Sequence, residues 1–154
     1  MSVGAPPLTE FDHQVRMFVF SLAMQRGFPP LIQEVAQALQ ADLQQVQQSY
    51  RNLADGRIIV LQGGSNEILM ANPFSAVPTP FLVETPAYTC FANCIWDALG
   101  VPAMINQDAH IRTSCADCGD ALHLHIRSGR LEGDSGVVHF AVPAKGWWED
   151  VVFT

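Results

Sequence analysis

Positive charge is scarce in this chain: the only lysine is Lys145, and lysine plus arginine number 8 against 15 acidic residues, for a formal net charge of -7. No basic stripe is available for a nucleic acid or an anionic membrane, whose non-specific affinity rests on phosphate contacts. Long apolar runs are also missing. Nothing approaches the ~18 uninterrupted apolar residues of a membrane span, and the opening Met1-Ser-Val-Gly-Ala-Pro-Pro has no charged segment leading into an apolar one. The expected location is the cytoplasm, with no membrane partner. Cysteine is absent from the first 89 residues, so disulfides do not staple a whole fold. The four present, Cys90, Cys94, Cys115 and Cys118, fall within 29 positions. In a reducing compartment, such clustering points to metal or catalytic chemistry.

What is present is a globular composition. At 154 residues and 49% hydrophobic, the chain can bury one ordinary core or two small ones. Glu10 to Arg26 reads as an amphipathic helix, with Phe11, Val15, Phe18 and Leu22 at helical spacing and Gly27 as its stop. Leu31 to Leu39 forms a second helix after Pro29-Pro30, and Asp42 opens a third that runs through Leu53. Arg57 to Gln62, the Gly63-Gly64-Ser65-Asn66 turn and Glu67 to Ala71 then make a β-hairpin. Three helices and a hairpin are the order of a winged helix. Gln44, Gln45, Gln47 and Gln48 have the chemistry to read bases from the third helix. The module nevertheless carries Arg16, Arg26, Arg51 and Arg57 against six acids, so DNA binding is not expected and a docking or covering role is.

Pro73, Pro78, Pro80 and Pro86 mark a linker or extended wrap, with a boundary near Ser75. Beyond it, Thr89 caps a helix ending at Gly100 with Pro102 just after, and strands follow at Ala109 to Thr113, Ala121 to Arg127 and Val137 to Val142. The expected fold class is therefore α+β: a winged-helix-like module over residues 1–75, then a small mixed domain over 76–154 with one motif-bearing helix and an antiparallel-type sheet.

The most informative residues lie on that expected helix. Cys94 and Asp97, three apart, and Cys90, four before Cys94, would share one helical face, offering two thiols and one carboxyl to a single ligand. Cys90, in the first turn, would have its thiolate stabilised by the helix N-terminus more than Cys94 would. Such a trio suits a soft, thiophilic metal and lines a pocket. Spacing alone leaves open that Cys94 is a buried small apolar residue and Asp97 a surface or capping carboxylate. Cys115-Ala-Asp-Cys118-Gly is a Cys-x-x-Cys turn, and His123 and His125 alternate onto one strand face behind it. These four could hold a structural zinc, or the thiols could simply be structural. His139, between Val138 and Phe140, reads as a satisfied strand histidine rather than a ligand, His13 and His110 have no evident partners, and Trp147-Trp148 reads as core packing or the wall of an apolar pocket.

Cys94-Ile-Trp-Asp97-Ala-Leu, then Pro102-Ala-Met-Ile, then Thr113-Ser-Cys115-Ala-Asp-Cys118-Gly, resembles the organomercurial (alkylmercury) lyase family in order and gaps. The resemblance covers roughly residues 80 to 154, and the family also carries a winged-helix-like N-terminal part. It implies protonolysis of a carbon–mercury bond, with Cys94 as a mercury-binding thiolate, Asp97 as proton donor and Cys115 in a structural position. No cofactor is implied, because mercury arrives as part of the small organomercury substrate. The family's second thiol lies downstream of a segment like Trp147 to Thr154. It is therefore expected either beyond Thr154, in a chain cut short there, or to be replaced by Cys90. An organic substituent asks for an apolar pocket, for which Phe91, Ile95, Trp96, Met104 and Trp147 are candidates. The rival reading is a non-enzymatic protein that holds or senses mercury or zinc.

Overall fold

The computed structural model of the protein describes residues 7–133 and 136–152. Helix α1 (Glu10–Arg26) starts at Thr9, whose hydroxyl accepts from the Asp12 N–H while the Asp12 carboxylate accepts from the Thr9 N–H, a closed capping box. It ends at Gly27, where φ is +88°. Glycine is required there twice over: the conformation is left-handed, and a Cβ would lie 2.7 Å from Tyr88 Cδ2 and 2.8 Å from Cys90 Cβ. Helices α2 (Ile32–Leu39) and α3 (Leu43–Asp55) follow, then strands β1 (Val60–Leu61) and β2 (Ile68–Ala71), paired antiparallel as the hairpin pattern anticipates. Val15, Val19, Val35, Val46, Tyr50 and Leu53 close one core between these helices and the hairpin.

The rest is strand-rich: β3 (Phe74–Ser75), β4 (Phe81–Glu84), β5 (Thr89–Ala92), α4 (Ile95–Ile105), β6 (Ala109–Ser114), β7 (Ala121–Arg127), β8 (Arg130–Gly133) and a 3-10 turn at Ala144–Glu149. The strands form one antiparallel sheet in the order β1-β2-β3-β5-β4-β6-β7-β8, so the fold is α+β. A second core of Phe74, Val83, Ala98, Val101, Ile111 and their neighbours lies between α4 and this sheet, and Ala23 of α1 belongs to it.

Three expectations are corrected. Residues 89–92 are strand, not helix, because Thr89, Cys90 and Phe91 pair with Glu84, Val83 and Leu82 of β4. The helix begins later and runs through Pro102 to Ile105, ending at Asn106 (φ 52°). Buried Ala98, Val101 and Pro102 hold it together despite the lost proline N–H. Of the two readings of the proline-rich stretch, linker or extended wrap, the linker fails. The prolines fall outside the strands, and β4 between them is central, paired with β5 on one side and β6 on the other. Residues 137–142 form no strand: Val137 is 93% exposed, and β7 takes β8 as its partner instead.

Candidate functional site

The sheet and α4 meet at a two-residue corner, Asn93-Cys94. Cys94 is the N-cap of α4 in extended conformation, and its carbonyl accepts from the Ala98 N–H at 2.9 Å. Asp97 is then the third helical residue. In a capping box these are the two positions whose side chains turn toward one another, so a Cys-x-x-Asp spacing brings thiol and carboxyl together without both lying on the helix face. The Cys94 thiol and the Asp97 carboxyl face one another closely enough for each to influence the other's protonation, without full hydrogen-bond geometry. The N–H groups of Trp96 and Asp97 face the sulfur, although no side-chain cap closes with full hydrogen-bond geometry.

Asn93 fixes the carboxyl from the other side. Its Nδ2 donates to Asp97 Oδ2 at 3.0 Å and to Asn72 Oδ1 at 3.1 Å, tying the corner to the loop between β2 and β3. These four polar residues line one side of a cavity of about 310 Å3, and Met70, Trp96, Phe140, Trp147, Val151 and Val152 supply the apolar walls. Phe140 and Trp147 pack with ring centroids 4.9 Å apart, and Trp147 Nε1 donates to Val142 O at 2.8 Å. A wider depression at Ala41–Gln45 carries no thiol and opens onto solvent.

Electrostatics in the cavity favour protonated groups. Burial raises the Asp97 pKa above its usual 3.8, only partly opposed by the hydrogen bond from Asn93 and by the facing Cys94 thiol. Burial likewise raises Cys94, with the neighbouring Asp97 charge adding to it and the two helix N–H groups pulling the other way. The pair is suited to keeping a proton near a sulfur that a soft metal can claim.

The structure brings Cys94, Asp97, Trp96 and Trp147 together. It does not bring Cys90. On β5 that side chain points into the core under Gly27, is 4% exposed, and has its pKa pushed by burial up to about 11. The expected helical face carrying Cys90, Cys94 and Asp97 therefore does not exist. Phe91, Ile95 and Met104 are not among the cavity walls either. Cys115 and Cys118 occupy the β6–β7 turn, while His123 Nδ1 lies 3.0 Å from His110 Nε2, whose Nδ1 lies 2.9 Å from Glu84. Among the described residues, no three His, Cys, Asp or Glu side chains are gathered to hold a metal ion. Sequence reasoning missed Asn93, Asn72, Met70, Phe140, Val151 and Val152. The polar Asn93 immediately before Cys94 was the available signal, hidden by reading the segment as helix.

A family model described as alkylmercury lyase matches residues 74–154. Among solved structures, the mercury-bound form of MerB2 is similar, with a TM-score of 0.65 and 21% sequence identity. The match covers 82% of this chain and 60% of that one, so this chain spans less than two thirds of that relative's length. A comparison with curated proteins found no match.

Proposed function

Since the chain belongs to the alkylmercury lyase family, we propose that it cleaves the carbon–mercury bond of a small organomercury compound, with Cys94 holding mercury and Asp97 delivering the proton. One observation carries this reading: a thiol and a half-buried carboxyl face each other at the lining of a cavity that also has several apolar walls. As the Cys94 sulfur bonds to mercury, mercury releases its small thiolate or halide ligand to solvent, the S–H bond breaks, and its proton passes to the Asp97 carboxylate. The carboxylic acid then gives that proton to the carbon as the carbon–mercury bond breaks, and its electron pair becomes the new C–H bond. A hydrocarbon leaves, Hg(II) stays on sulfur, and Asp97 is again a carboxylate. Asn93 holds the carboxyl toward the sulfur, and the apolar walls take the organic group and exclude water.

The test is hydrocarbon release. With phenylmercury and excess small monothiol, the purified protein is expected to evolve benzene, detected by gas chromatography. Binding without benzene would instead support the second reading, a protein that holds or senses soft metal. The presence of one thiol at the cavity among the described residues favours that alternative. The helical module with Arg16, Arg26, Arg51 and Arg57 is taken as a winged-helix-like covering element that does not grip DNA. The working compartment is taken as the reducing cytoplasm, in keeping with four free cysteines. No helix among the described residues is long and apolar enough to cross a membrane.

A further inference from the structure

The reaction above leaves one thiol pair unused. Cys115 and Cys118 sit in the turn that joins β6 to β7, closed at its base by Cys115 N–H to Asp120 O at 2.8 Å and Gly119 N–H to Cys115 O at 2.9 Å. Gly119, at φ +78°, provides the left-handed residue that lets the turn fold back so tightly. The tight turn sets the two side chains near one another, and the Cys118 and Asp117 N–H groups lie close enough to the Cys115 thiol to pull its pKa down, without full hydrogen-bond geometry. Neither is buried in the core. Cys118 is exposed, and Cys115 is partly so.

N–H groups aimed at a sulfur favour a thiolate there and hold it in place. Two thiols held side by side also act as a chelate, since the second sulfur binds at the high effective concentration set by the turn. A zinc site would need two further donors. The nearest imidazoles are committed along the sheet, His123 to His110 and His110 to Glu84, with His125 stacked on His110 at 4.4 Å between ring centroids. What remains is a two-sulfur site, which matches the preference of soft cations for thiolates.

We propose that the Cys115–Cys118 turn is a second soft-metal site, binding Hg(II) through both sulfurs independently of the Cys94 cavity. Two S–Hg bonds form as mercury exchanges its small-molecule ligands, and any thiol protons leave to water. No electron transfer is involved. The site goes beyond the cleavage reading and does not depend on it, because inorganic Hg(II) alone tests it.

The experiment uses the full chain with Cys94→Ser, reduced and kept anaerobic, mixed with mercuric chloride and an excess of a small monothiol, then desalted. Mercury per chain is read by elemental analysis. Close to one equivalent is expected. Adding Cys115→Ser and Cys118→Ser should lower retention about 100-fold, as loss of a chelate predicts. The remaining thiol, Cys90, is sealed in the core. A urea midpoint unchanged by the two turn substitutions would exclude unfolding as the cause. Equal retention in the triple variant, or none in Cys94→Ser, would overturn the proposal. Benzene release by the Cys94-containing protein is a separate readout, so either inference can fail without the other.

Discussion

Two helices of this protein begin with the same spacing and use it for opposite ends. At the start of α1, Thr9-x-x-Asp12 closes a full capping box: the Asp12 N–H donates to Thr9 Oγ1 at 3.1 Å, and Thr9 N and Oγ1 both donate to Asp12 Oδ2 at 2.8 Å. At the start of α4, Cys94-x-x-Asp97 has the same two positions, with a thiol where α1 has a hydroxyl. Burial pushes the Asp12 carboxyl up. Hydrogen bonds from Thr9 and Asn52, with the Ser49 hydroxyl facing it without full hydrogen-bond geometry, outweigh burial and bring its pKa below 3.8. Burial also pushes Asp97 up, and with fewer donors it stays up. A carboxylate saturated with donors is a structural part. One left short of donors in a cavity with apolar walls more readily takes up a proton released beside it and passes it on.

Among changes to the carboxyls, the largest effect should therefore come from taking that proton away. Asp97→Asn keeps the shape and a hydrogen-bonding amide but supplies no acid, and benzene release should fall by about 100-fold or more. Organomercury binding to Cys94, measured by retention after desalting, should survive. Cys94→Thr goes further by copying the α1 cap into α4. It should abolish both binding at the cavity and turnover while raising thermal stability, because a hydroxyl caps a helix better than a thiol does. Turnover retained in Cys94→Thr would remove the premise that sulfur at this position holds the metal.

The two carboxyls should also leave opposite marks on stability against pH. Asp12, with its folded pKa lowered, stabilises the fold above the unfolded value near 3.8, and that contribution is lost as pH falls through the folded pKa. Asp97, with its folded pKa raised, makes its contribution below 3.8 and loses it as pH rises through the folded pKa. Asp97→Asn should thus raise the denaturation midpoint at neutral pH, by an amount that shrinks on acidification. Asp12→Asn should lower it at neutral pH by about 1–3 kcal/mol, with the deficit shrinking in acid. Urea melts of both variants from neutral pH down through the unfolded value of 3.8 to about pH 3 give the comparison directly. Shifts of the same sign would mean that the two sites do not differ as described.

Much of this contrast was legible before the structure, and the illegible part has physical causes. Helix α1 showed both its period and its stop, and β6 and β7 showed alternation bounded by turn residues, so these elements fall where the pattern puts them. The pairing of Cys94 with Asp97 was also anticipated, but for a different reason: a shared helix face rather than a cap. The segment Thr89-Cys-Phe-Ala is a short apolar run that fits strand or helix equally, and only its pairing with β4 decides. Assigning it to helix placed Cys90 beside Cys94, when the strand buries it under Gly27. Prolines spaced along residues 73–86 looked like a linker because nothing local reveals that Phe81–Glu84 is paired on both edges. The cavity walls from Phe140 to Val152 come from irregular chain with no period to read.

The smallest effect belongs to the reverse graft, Thr9→Cys, made alongside Cys94→Ser. It places Cys-x-x-Asp at the head of α1 and asks whether spacing alone makes the site. The thiol is a weaker donor and acceptor than the Thr9 hydroxyl it replaces, so the cap should loosen by about 1 kcal/mol, read from a urea midpoint. No benzene should be released. Asp12 still receives the Thr9 backbone N–H and the Asn52 amide at 3.2 Å, so its carboxylate is a weaker acceptor for the proton a mercury-bound thiol would release and relays little of it to carbon. The about 310 Å3 apolar cavity also lies at the other helix. Measurable benzene release from this variant would show that a thiol and a carboxyl at cap spacing suffice, and that the desolvated pocket around Asp97 adds nothing to the chemistry.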